Sequence, residues 1–156
     1  MNMEPQGSQL GDVGDVLNTG GRTGASEADI LALRAVSAFS WPDVLARLSN
    51  ALYVQGFAVW SEIDLAHMRP VRSLASPPQR RLIIIGHPQL SRRALSIDDS
   101  AGLDLTLTLH LHRDDRGHIH VHCQDPRQVW GRAAPDRLQP IITTLADRLH
   151  LVLNAL

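Results

Sequence analysis

The sequence predicts a single α+β domain in which one antiparallel sheet carries helices on one of its faces. Two observations lead to this prediction. Apolar and polar residues alternate along much of 103–123, which is typical of a β-hairpin with one buried and one solvated face. Two other segments, near residue 45 and at the C-terminus, place apolar residues at helical spacing and are long enough to cover the buried face. The predicted element order is β-α-β4-α.

The first part of the chain differs from the rest in composition. Residues 1–29 are rich in Gly, Ser, Asn, Thr and Gln and hold few apolar side chains. Burial there cannot offset the conformational entropy that ordering would cost. We therefore predict a disordered tail at 1–29 and one domain at 30–156, a length that suits a single hydrophobic core.

Composition also indicates the cellular compartment of the protein and the classes of partner it is expected to bind. Cys123 is the only cysteine, so no intrachain disulfide can form. No apolar run approaches the roughly 18 residues of a membrane span, and the N-terminal segment lacks the basic start and apolar stretch of a secretory signal. A net charge of −1 supplies no overall basic field for nucleic acid. We expect a cytoplasmic protein with no membrane partner, for which nucleic acid is not a favoured ligand.

The first two elements are predicted to be a strand and a helix. Residues 30–39 alternate in polarity as a strand does, although a capping box beginning at Ser26 could open a helix there instead. We choose the strand because a stronger helix start follows at once, where Ser40 is followed three residues later by Asp43. Gly56 then ends this helix as a left-handed cap.

Two further strands follow this helix. Residues 57–63 are rich in aromatic and β-branched residues, and residues 81–86 are apolar enough to be buried on both faces. Asp64 can cap a short helical turn after the first of these strands. Residues 87–102 are expected to be mostly loop.

A hairpin and a helix complete the predicted fold. The hairpin strands are at 103–112 and 118–123, joined by a turn at 113–117 that contains Asp-Asp and Gly. The C-terminal helix is predicted to begin at Pro135 or Asp136. Its apolar stripe consists of Leu138, Ile141, Ile142, Leu145, Leu149, Val152 and Leu153.

Between residues 30 and 130 the chain resembles a family, the bacterial domain of unknown function numbered 302. The resemblance depends on the order and spacing of short motifs: Ala51-Leu52 with Gly56-Phe57, then Glu62-Ile63-Asp64, then Ile84, Gly86 and Pro88, then 101–105, and finally Asp125-Pro126. It implies the arrangement of proteins like the TATA-box-binding protein, and a homodimer. It implies no established reaction. The family tends to have Asn where this chain has His87.

The leading functional interpretation is a non-catalytic homodimer that binds an unknown small ligand. Its binding site is expected on the polar face of the sheet or in a cleft near Asp64, His87 and Pro88. No catalytic residue is proposed, because the chain contains no Gly-rich phosphate loop, nucleophile elbow or His-Glu-x-x-His helix.

A cluster of histidines on the hairpin gives a second interpretation, a metal-binding protein or metal-dependent enzyme. Five histidines should share one sheet face and pair as His112–His118, His110–His120 and Thr108–His122. Opposed β-carbons lie about 4.5–5.5 Å apart, close enough for two imidazoles to share one ion. Neutral imidazole suits zinc, copper or nickel. Sequence places no carboxylate beside the rings to orient them. The five candidate ligands are His110, His112, His118, His120 and His122.

Arginine provides a third interpretation, binding of an anion or nucleic acid. Six arginines and no acidic residue lie between residues 65 and 97. They form the Arg-rich 69–93 segment, which consists of Arg69, Arg72, Arg80, Arg81, Arg92 and Arg93.

Overall fold

The structure of the protein is a computed structural model that describes residues 32–66, 79–103, 105–130 and 134–156. The predicted tail at 1–29, the start of the first predicted strand and most of the segment after Asp64 lie outside the described residues. The tail and the domain boundary therefore stay predictions.

Five antiparallel strands form one sheet, which confirms the predicted fold class. Strands β1 (Ala32–Ser37), β2 (Ala58–Asp64), β3 (Arg80–Gly86), β4 (Leu107–Arg113) and β5 (Ile119–Gln124) are arranged in the order β1-β5-β4-β3-β2. The histidine-bearing hairpin, β4 and β5, therefore lies inside the sheet, and each of its strands is hydrogen-bonded on both sides.

Two longer helices cover one face of the sheet. Helix α1 (Trp41–Val54) begins as predicted, because the Ser40 side chain accepts a hydrogen bond from the Asp43 backbone N–H. After α1, Gly56 has a φ of +80°, the left-handed conformation that glycine adopts at low cost. Helix α4 (Gln139–Asn154) buries every residue of the predicted apolar stripe, including Leu138 just before it.

The segment 87–102, predicted to be mostly loop, instead contains helix α2 (Pro88–Leu95) and the start of a 3-10 helix, Asp99–Leu103. That prediction is wrong. Pro88 suits a first helical turn, but the residue that caps the helix is His87, which is not a usual N-cap. A further one-turn helix, α3 (Pro126–Val129), follows the Asp125 cap.

The core lies between the helices and the leucine side of the hairpin. Leu107, Leu109 and Leu111 are buried on β4, and Val121 and Cys123 are buried beside them on β5. Burial raises the pKa of the Cys123 thiol to about 12. The prediction that Cys123 lies on the apolar hairpin face is therefore confirmed.

Strand β3 shows alternating burial. Ile83 and Ile85 are buried under the helices, whereas Leu82 and Ile84 are only half-buried on the other face. The prediction of burial on both faces is wrong, because within the described residues no helix packs on that second face. We call this second face, which carries the histidines, the open face. Val36 on it is 60% exposed.

Candidate metal centre

Four imidazole rings stand together on the open face. His110 pairs across the hairpin with His122, and His112 pairs with His120. The ring centroids of His112 and His120 are 4.8 Å apart and nearly parallel, and those of His112 and His122 are 5.3 Å apart. We call these four residues the histidine ladder.

The predicted face is correct, but the predicted pairing is wrong. The turn lies at 114–118, one residue later than expected, and this shift changes every cross-strand partner. Asp114 fixes the turn, because its Oδ1 accepts hydrogen bonds from the backbone N–H groups of Arg116 and His118. His118 therefore belongs to the turn and is not a member of the ladder.

Three members of the ladder form a potential ligand set. His112, His120 and His122 each offer one nitrogen, and these atoms all lie within 4.8 Å of one another. Zinc–nitrogen bonds of about 2.0–2.1 Å in a tetrahedral site place ligand nitrogens about 3.3 Å apart. Binding of a zinc ion would require the rings to rotate until the nitrogens reach that spacing. His110 is on the same face but is not part of the set.

A carboxylate orients one of the three rings, contrary to the sequence-based expectation. The Nε2–H of His120 donates a hydrogen bond of 2.9 Å to Oδ2 of Asp114. This contact leaves Nδ1 of His120 as the nitrogen with a lone pair for a metal. A carboxylate that holds the far nitrogen of a ligating histidine is the usual support of a metal site. Sequence reasoning missed it because Asp114 reaches the ring from the turn, six residues away.

Two histidines of the ladder, His110 and His112, favour the neutral form of imidazole. Burial, followed by the neighbouring rings and Arg80, lowers the pKa of His112 to about 4. Burial and Arg80 also lower the pKa of His110. The hydrogen bond from His120 is the main cause of a pKa of about 2 for Asp114, so this carboxylate remains ionised. At neutral pH His110 and His112 therefore keep the neutral form that binds a metal.

Nδ1 of His112 is an unsatisfied polar atom in the described structure. Nδ1 of His112 is buried and makes no hydrogen bond with any residue that the structure describes. Burying an unsatisfied polar atom costs about 1–3 kcal/mol. A metal ion bound at this atom would remove that cost.

Comparison with known proteins places the chain in a family. The family model described as Domain of unknown function DUF302 matches residues 34–156. The chain belongs to the DUF302 family. A solved structure, that of an uncharacterized conserved protein DUF302 from Bacillus stearothermophilus, has a TM-score of 0.69 against this chain at 17% sequence identity. The match covers 81% of this chain and 98% of that one, and at this identity it establishes the fold alone. No curated protein matches the chain.

In this DUF302 domain the side chain of His87 is buried and caps α2. It is 2% exposed, and its Nδ1 accepts a hydrogen bond from the Leu90 backbone N–H at the start of α2. Its Nε2–H donates to the Gln55 carbonyl oxygen at 3.1 Å, and Arg148 also donates to that oxygen. The Asn that the family tends to have here is itself a common N-cap. Burial, followed by the charge of Arg148, lowers the pKa of His87.

The other predicted ligand-binding residues lie near chain turns. Pro88 begins α2, directly after His87. Asp64 ends the exposed strand β2 and accepts a hydrogen bond from the Ala66 backbone N–H, as predicted for a cap. Ligand binding at Asp64, His87 and Pro88 stays a prediction.

The described arginines of the 69–93 segment do not form one patch. Arg80 and Arg81 begin β3 and lie on opposite faces of it, and Arg81 pairs with Glu62 at 3.0 Å. Arg92 and Arg93 belong to α2, which follows the other end of that strand. Arg69 and Arg72 lie outside the described residues. This arrangement gives no support to binding of a polyanion by the segment as a unit.

A cavity lies on the helix side of this DUF302 domain, away from the ladder. It has a volume of about 390 Å³ and is lined mainly by apolar residues of the segments that follow α2 and precede α4, together with Ala94 of α2 and Ile141 and Ile142 of α4. Asp98 and Ser100 are the polar residues of its wall. Its size is in the range of small-molecule sites.

Proposed function

We propose that this DUF302 domain binds one divalent transition-metal ion through His112, His120 and His122. The observation that carries the proposal is the convergence of three imidazole nitrogens within 4.8 Å on two inner strands of the sheet. Asp114 supports the site by holding the ring of His120. The strands are hydrogen-bonded on both sides, so the backbone that carries the ligands is organised before a metal arrives.

The ligand type determines which metals are expected. Three neutral imidazoles suit zinc, copper and nickel, and they do not suit magnesium or calcium, which prefer oxygen ligands. Affinity for divalent ions should follow the usual order, in which copper binds more tightly than nickel or zinc.

A titration of untagged protein with Zn²⁺ tests the proposal. We expect one ion per chain, with a Kd of about 1 µM or tighter, which corresponds to about 8 kcal/mol. Competition with a chromophoric chelator measures both values. Binding that is weaker than millimolar, or that does not saturate at one equivalent, would contradict the proposal.

Asp114→Asn should weaken zinc binding by about 10- to 100-fold, the usual cost of losing a carboxylate behind a histidine ligand. The amide can still form a hydrogen bond, but it no longer supplies the negative charge. The change is measured by the same competition titration. Asp115→Asn is the matched control, because it removes the same charge from the next residue of the turn. Equal losses in the two variants would assign the effect to net charge and remove the role of Asp114.

The remaining functional predictions rest on other observations. The small-ligand prediction is supported by the cavity lined by α2 and α4. The homodimer is supported by the family resemblance, and cytoplasmic localisation by composition. Within the described residues no helix has the length and apolar character needed to cross a membrane. Native mass spectrometry of untagged protein tests subunit number and retained ligands in one measurement.

A further inference from the structure

Few carboxylates lie near the proposed metal site within the part of the chain that the structure describes. Three neutral imidazoles leave the charge of a divalent ion uncompensated. Along the described strands, carboxylates occur only on β2, where Glu62 and Asp64 lie opposite Ile83 and Arg81 and so face the helix side. Asp114, in the turn, accepts a hydrogen bond from His120 of the ladder.

An arginine side chain adds positive charge beside the proposed metal site. Arg80 is directly opposite His112 in the β3–β4 register, so its side chain starts on the open face beside the ligand set. Arg80 is exposed, and its charge acts on both His110 and His112.

A site with three protein ligands also has a coordination position to fill. Zinc sites with three protein ligands keep the fourth position for water or an exogenous ligand. The open face lets such a ligand approach, since within the described residues no helix covers it. Net positive charge around that position favours an anion over a neutral molecule.

We propose that the fourth position of the metal binds a small oxyanion of the carboxylate type, and that Arg80 donates hydrogen bonds to this anion. The inference rests on the proposed metal site and adds the class of its ligand. A guanidinium group presents planar, paired donors that match the two oxygens of a carboxylate. One oxygen would bind the metal while the second accepts from Arg80.

A cobalt-loaded sample of the full chain, titrated with acetate, tests this proposal. Co²⁺ bound to imidazoles absorbs in the visible range, and its spectrum responds to a change of ligand. Perchlorate keeps the ionic strength constant, so that general screening does not change along the titration. We expect a saturable spectral change for the wild-type protein. Arg80→Gln should weaken acetate binding at least fivefold.

Arg81→Gln is the matched control. It removes the same charge from the adjacent residue, but Arg81 lies on the helix side and pairs with Glu62. Acetate binding in this variant should stay within twofold of wild type. Cobalt affinity of Arg80→Gln should be equal to or higher than that of wild type, because a nearby positive charge has been removed. If Arg80→Gln instead disrupted the metal site, the cobalt affinity of the variant would be lower than that of wild type.

Different results overturn different claims. If the chain binds no cobalt or zinc before acetate is added, the metal site itself is absent, and the anion site is absent with it. If cobalt binds stoichiometrically but acetate produces no saturable change, only the anion site is refuted. Equal weakening by Arg80→Gln and Arg81→Gln would reject Arg80 as a donor to the anion.

Discussion

His112→Ala is expected to lower zinc affinity by about 100-fold or more, beyond the cost of losing a supporting carboxylate. His112 lies in the middle of the ladder, with His120 and His122 on the facing strand. Its loss would leave two imidazoles on one strand, which point to the same side but are 6.1 Å apart between ring centroids. The measurement is competition with a chromophoric chelator at neutral pH.

His118→Ala provides the control for this result. It removes an imidazole from the same hairpin, but from the turn, where the His118 Nδ1 atom is 3.7 Å from Asp114 Oδ2. We expect zinc affinity to stay within about threefold of wild type, a change below 1 kcal/mol. A larger loss from His118→Ala than from His112→Ala would show that the proposed ligand set is wrong.

His87→Ala is expected to lower the free energy of unfolding by about 2–4 kcal/mol at pH 7.5. The substitution removes the N-cap of α2, which contributes about 1 kcal/mol. It also removes a buried hydrogen bond to Gln55 and leaves a cavity in a fully packed region. Urea denaturation followed by circular dichroism measures the change. His150→Ala, at an exposed position of α4, should change stability by less than about 0.5 kcal/mol.

The same residue makes stability depend on pH. Because the pKa of His87 is lowered in the folded state, the unfolded chain binds a proton more readily than the folded protein does. The contribution of His87 is therefore complete above the unfolded pKa of about 6.5 and decreases as the pH falls toward the folded value. His87→Asn keeps a capping side chain that does not titrate. It should lose less stability between pH 7.5 and 5 than wild type does, and a parallel decline in both proteins would exclude this role.

Side-chain alternation was sufficient to predict the faces of the hairpin. A strand must place successive side chains on opposite sides, so the leucines and the cysteine had to share one face and the ladder histidines the other. Pairing depends in addition on the turn, and a displacement of one residue changes all cross-strand partners. The hydrogen bonds of Asp114 fix the position of the turn. The alternation of polar and apolar residues does not predict these hydrogen bonds.

The other incorrect predictions also concern features that depend on contacts formed only in the folded chain. Helix α2 is eight residues long and is capped by His87, whose ring reaches back to Gln55 across 32 residues of sequence. Its stability depends on that tertiary contact, which periodicity cannot detect. The supporting role of Asp114 was also missed, because the carboxylate and the ring of His120 are brought together only when the turn closes.

The burial of Cys123 affects how the protein should respond to oxidants. Cys123 is 3% exposed and lies on the opposite face of the sheet from the imidazoles, so peroxide and alkylating reagents have little access to its sulfur. Imidazole does not enter the sulfenic and sulfinic chemistry that inactivates thiolate metal sites. A metal held by the ladder should therefore stay bound during oxidative treatment that would release it from a cysteine-based centre.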